Sequence, residues 1–154
     1  MEFKQENINW TLSSGHKIHA ILKKTNGTPK AIIAVSHGMG GHFGRYDIFA
    51  KYFLDQGFHV MGFDQIGHGR SEGKRGDVPK YKYLVESYSH INSFVHSNYK
   101  QIPLVLYAHS MGANVLMSYL LRNPKNVAAA VVSAPWIRLS QRPAVLTIKV
   151  ARFV

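Results

Sequence analysis

The stretch PLVLYAHSMGANVLMSYLL, residues 103–121, decides how this chain is read. Its first part, Pro103 to Ala108, is an unalternating apolar run, the pattern of a strand buried on both faces in a parallel sheet. Its last part, Gly112 to Leu121, has helical composition and stops at Asn123-Pro124. Ser110 stands at the junction. A serine on a sharp strand-to-helix turn has its hydroxyl lifted clear of the sheet, and small Gly112 and Ala113 let the helix pack close behind the strand.

A rival serine lies upstream. GRSEG, residues 69–73, fits the pattern Gly-x-Ser-x-Gly letter for letter, whereas AHSMG, residues 108–112, places Ala108 where the first glycine should be. Context outranks spelling. Ser71 is followed by EGKRGDVP, whose two glycines and proline prevent a helix from starting there, so it is expected to make a local turn hydrogen bond. Ser110 is the expected nucleophile, the single methyl of Ala108 being a small addition to the turn.

Working outward, the same alternation of strand and helix extends to residue 31. AIIAV, residues 31–35, is a buried strand ending in the glycine-rich SHGMGGHFG. Residues 46–56 carry Ile48, Phe49, Tyr52 and Phe53 at helical spacing, with Gly57 at the stop. FHVMGF, 58–63, is a strand; 64–79 is a long polar loop; 81–99 is a helix; and 127–133 is a further strand. Ahead of these, 8–12 and 16–22 form an antiparallel hairpin around Ser13-Ser14-Gly15. The expected fold is α/β, a mostly parallel sheet of about six strands flanked by helices.

Composition narrows the function classes. A chain of 154 residues is the size of one domain. It has no cysteine, which excludes disulfides, thiolate metal sites and a cysteine nucleophile. The first residues lack the pattern of a signal peptide and no apolar run reaches membrane-spanning length, so a cytoplasmic protein is expected. Net charge is +11. The basic residues of the second half are spread singly, without interleaved aromatics, which argues against nucleic acid as a partner. All eight acids precede residue 87, leaving the remainder without one.

An acyl-transfer serine needs two backbone N–H groups aimed at the developing oxyanion, each worth about 3 kcal/mol. Met111, directly after Ser110, supplies one, and the His37-Gly38-Met39 turn is placed to supply the other through Met39. A phosphate cradle fails on spacing: Phe43 stands where a third glycine is needed. No metal and no cofactor are expected.

HGMGGHFGRY, FDQIGHGRSEG and AHSMG, in this order and spacing, resemble the monoacylglycerol lipase and lysophospholipase group of the α/β-hydrolase fold, also described as serine aminopeptidase-like. The resemblance implies a carboxylic-ester hydrolase with a small-molecule lipid or ester substrate. By it, Ser110 is the nucleophile, Met39 and Met111 give the oxyanion amides, and His37, Gly38, Asp64, His68, His109 and Gly112 shape the site. SAPWIRLS resembles the passage from the sixth strand into a cap, which divides the chain into core, 1–134, and the start of a cap, 135–154.

One departure is large. In this fold the partners follow in the order Ser, Asp or Glu, His, yet after Ser110 there is no Asp, Glu or His. The expectation is an N-terminal portion with an incomplete site; the alternatives are a non-catalytic remnant or interaction module, or a peptidase or acyltransferase of this fold. His109 points away from its neighbour at such a turn, and His37 belongs to the oxyanion loop, so neither is the expected base. A last strand without a neighbour exposes an apolar edge open to self-association. The terminal RPAVLTIKVARFV reads as a cap helix, with peripheral membrane contact through its basic, apolar faces as the rival.

Overall fold

The computed structural model describes residues 3–137. Eight strands and three helices follow in chain order: β1 (Lys4–Asn7), β2 (Trp10–Thr11), β3 (Lys17–Ile18), β4 (Ala20–Lys24), β5 (Ile32–Ser36), α1 (Asp47–Asp55), β6 (His59–Phe63), α2 (Tyr81–Asn98), β7 (Leu104–His109), α3 (Met111–Leu120) and β8 (Ala129–Ser133). A 3-10 turn, Phe43–Tyr46, leads into α1. Six strands form one sheet in the order β1-β4-β6-β5-β7-β8. From β6 to β8 the pairings are parallel; β1 and β4 are added antiparallel.

The core has two layers because the central strands bury both faces. Ile33, Val35 and Val60 face α1 through Ala50 and Leu54. Ile32, Ala34, Met61, Leu104, Leu106 and Ala108 face α2 and α3 through Leu84, Tyr88, Ile91, Ala113 and Leu116. This explains why these strands lack alternation in sequence. The Ala108 methyl is fully buried among them.

The N-terminal hairpin is split. Trp10–Thr11 pairs with Lys17–Ile18 as a separate ribbon, and the chain then changes partners at His19, with β4 lying between β1 and β6. His19 does not continue the ribbon ladder: its N–H donates to Ser71 Oγ at 2.9 Å and its carbonyl accepts from Asp64 N–H at 2.9 Å. At the other end of the sheet β8 pairs, among the described residues, only with β7, and Val131 is 49% exposed. Among the described residues no helix is long and apolar enough to cross a membrane.

Candidate active site

Ser110 occupies the step between β7 and α3 at φ 54° and ψ −119°. A non-glycine residue with this backbone stores strain of about 1–3 kcal/mol, which must be offset by its surroundings. Three contacts hold it. Ser110 N–H donates to Ser133 O at 2.9 Å, Asn114 N–H donates to Ser110 O at 3.1 Å, and Trp136 N–H reaches the same carbonyl at 3.5 Å. Gly112 is required by space: a Cβ there would lie 2.5 Å from His37 O and 2.8 Å from Ser36 Oγ. The first turn of α3 therefore rests directly on the end of β5.

The turn after β5 closes over the same point. A Cβ on Gly38 would sit 3.0 Å from Ser110 Cβ. Gly38, Met39, His109 and Ser110, with Arg45 and Tyr46, border a cavity of about 290 Å³. The Ser110 hydroxyl makes no hydrogen bond among the described residues.

His37 fixes the shape of this turn. It is buried; its Nε2 accepts from Gln65 N–H at 2.9 Å, so its proton lies on Nδ1, which donates to Gly38 O at 2.7 Å. Burial pulls its pKa down to about 4, keeping the ring neutral. Gly41 N–H grips the same Gly38 carbonyl at 3.1 Å. In a planar trans peptide N–H and C=O point opposite ways, so anchoring Gly38 O turns Met39 N–H away from the His37 ring. Neither Met39 N–H nor Met111 N–H donates to another group among the described hydrogen bonds, and Met111 N–H lies in the first turn of α3, where amides lack helical acceptors.

Asp64 ties two loops together. Its buried carboxylate accepts from Phe43 N–H at 2.7 Å and from Arg70 N–H at 2.8 Å. A Cβ on Gly69 would strike that carboxylate, at 2.1 Å from Oδ2. Ser71 Oγ donates to Asp64 O and accepts from His19 N–H, so its hydroxyl is consumed. One of these bonds is within the loop, as expected, and the other spans 52 residues. His68 is buried against His37, ring centroids 5.3 Å apart, with Nδ1 on Ile66 O at 3.0 Å.

His109 is exposed and its Nδ1 lies 3.2 Å from Ser133 Oγ. None of the nine histidines hydrogen-bonds Ser110, and both nitrogens of His37 are committed elsewhere. Sequence reasoning missed Gln65, whose buried side-chain amide donates to His37 O and to Ser36 Oγ, the latter at 3.2 Å. It also missed Tyr88, whose hydroxyl donates to Gly112 O at 3.0 Å from beneath the elbow. Burial raises the Tyr88 phenol above its ordinary pKa, so it remains a donor.

The sheet order, the strained serine and the turn over it define an α/β-hydrolase fold, and solved structures agree. An α/β hydrolase from Penicillium superposes with a TM-score of 0.81 at 22% identity, covering 97% of this chain and 53% of that one. A monoacylglycerol lipase from Paleococcus ferrophilus gives 0.70 at 24% identity, covering 99% and 51%. The sequence profile of the family described as serine aminopeptidase, S33, matches residues 27–154, and the chain belongs to that family. Rat monoglyceride lipase is 35% identical over 136 residues, 85% of this chain and 45% of the rat protein. The chain thus spans about half the length of the curated relatives it matches.

Proposed function

We propose that this chain carries the nucleophile-bearing part of a serine hydrolase of carboxylic esters, of the monoacylglycerol or lysophospholipid type. The observation that carries the reading is the strained Ser110, its hydroxyl without a hydrogen bond among the described residues, at the cavity beside Gly38 and Met39. In this reading Ser110 Oγ attacks the ester carbonyl and the oxyanion is held by Met39 and Met111 N–H. The alcohol leaves, and water releases the acyl group from Ser110. The general base and its orienting acid are assigned to residues outside these 154, because every histidine precedes Ser110 and none bonds it. His37, Gly38, Asp64, His68, His109 and Gly112 shape the site. An apolar groove of about 460 Å³ beside Met39 and Met111, with Val78, Leu84 and Trp136 in its wall, suits an acyl chain. The names of the relatives favour a lipid ester.

A fluorophosphonate probe tests the reading on a chain extended to carry the base and acid: intact mass should show one adduct, mapped to Ser110 and absent from Ser110→Ala. A folded extended chain with no adduct refutes a reactive Ser110. That outcome favours the second reading, a non-catalytic interaction module, for which the outer edge of β8, unpaired among the described residues, would be the docking strand.

Self-association through β8, a cap beginning at residue 135, peripheral membrane contact by the terminal segment and a cytoplasmic location complete the proposal. Residues 138–154 lie outside those described, so cap and membrane contact rest on sequence alone. Sedimentation velocity over a concentration series checks the first, and flotation with anionic vesicles checks the membrane contact.

A further inference from the structure

We propose that Gln65 is a positioning residue for the amide of Met39, acting through His37. The inference rests on the hydrolase reading only in the use made of that amide; the structural coupling stands on geometry. Residue 65 makes three hydrogen bonds to two consecutive residues at the end of β5. Its backbone N–H donates to His37 Nε2, and its side-chain amide donates to His37 O and Ser36 Oγ.

Each bond fixes a different element of the turn. Donation to Nε2 selects the ring form with the proton on Nδ1, and that proton anchors Gly38 O. Anchoring Gly38 O sets the Gly38–Met39 peptide plane and with it the direction of Met39 N–H. Donation to His37 O sets the plane of the preceding peptide, His37–Gly38. Two successive peptides are thereby locked, as pre-organised oxyanion donors require. The same carbonyl is the nearest neighbour of a Cβ built on Gly112, so Gln65 also braces the floor on which α3 rests. Gln65, His37 and Ser36 are each at 1% exposure, so water does not replace a lost donor readily.

The test uses two variants of the same length. Gln65→Met removes the side-chain donors; Gln65→Glu keeps the shape but turns a carboxylate acceptor toward the His37 carbonyl, itself an acceptor. In the folded chain, ring-nitrogen NMR of His37 and the amide signals of Gly38 and Met39 are compared with wild type. The expected result is displaced Gly38 and Met39 signals and a His37 Nδ1 proton that exchanges at least about tenfold faster, with the rest of the spectrum preserved. If Met at 65 does not fold, the Glu variant carries the comparison. Wild-type His37 and Met39 signals in a folded variant overturn the proposal. Where wild-type Ser110 reacts with the probe, the variants should react about 100-fold more slowly, and an unchanged rate also overturns it. An unreactive wild-type serine defeats the hydrolase reading instead, and the NMR comparison still decides the role of Gln65.

Discussion

Ser71 and Ser110 sit in similar glycine-rich pentapeptides and have opposite fates. The Ser71 hydroxyl is buried, donating to Asp64 O and accepting from His19 N–H, so it joins the 64–79 loop to the point where β3 gives way to β4. Ser110 has its backbone anchored on every side while its hydroxyl bonds to nothing among the described residues. A structural serine spends its side chain on the fold; a candidate nucleophile is held by its main chain and keeps its side chain free. The strand before Ser110 and the helix after it provide that main-chain grip, which no pentapeptide pattern encodes.

The sharpest way to break this contrast is to remove each hydroxyl. Ser110→Ala should abolish probe labelling with the unfolding midpoint nearly unchanged, whereas Ser71→Ala should keep labelling; a labelled Ser110→Ala protein would erase the distinction. Gly112→Val comes next. Its Cβ would meet His37 O and Ser36 Oγ, so the elbow must open at a cost of about 3 kcal/mol or more, read by urea denaturation together with loss of labelling.

Acid should act on the Ser110 side through His37. Its pKa is about 4 when folded, against about 6.5 when unfolded. Between these values the unfolded chain binds the extra proton, so stability rises with pH across the window. The contribution is fully present above about pH 6.5 and is lost as pH falls toward 4, an effect of about 3 kcal/mol. Denaturation curves from pH 7 to pH 4 should show this slope, and His37→Gln should flatten it. His59, also pulled down by burial, adds in the same direction.

Ser71→Ala strips buried partners from Asp64 O and His19 N–H and should cost about 2 kcal/mol by denaturation. The smallest stability effect is expected at the opposite edge. Val131→Lys on exposed β8 should change stability by less than about 0.5 kcal/mol, yet reduce association in sedimentation, because a charge on an open edge discourages strand pairing.

Much of this was legible in the sequence. The runs 31–35, 58–63 and 103–108 read as doubly buried strands because α1 covers one face and α2 with α3 the other. The split at His19 was hidden, since it depends on Ser71 and Asp64, about fifty residues away. The candidate site was legible where local geometry imposes residue type, as at Gly112 and Ser110. Gln65 left no such mark. A lone glutamine in a polar loop has no periodicity, and its partners, Ser36 and His37, lie 29 and 28 residues upstream. Tyr88 was read only as one residue of the 81–99 helix, although its hydroxyl serves Gly112.

The sheet order also has a kinetic consequence. From β5 the parallel sheet grows outward with the chain, β7 and then β8, each new strand joining the current edge after a helical crossover. Such pairings close long loops before they are rewarded, so each step is slow compared with helix formation. A chain emerging from its N-terminus would complete β6 before β7 has been made, and the Ser110 backbone would lock only when Ser133 arrives on β8 to accept its N–H. The strained elbow is thus among the last parts of the described fold to set.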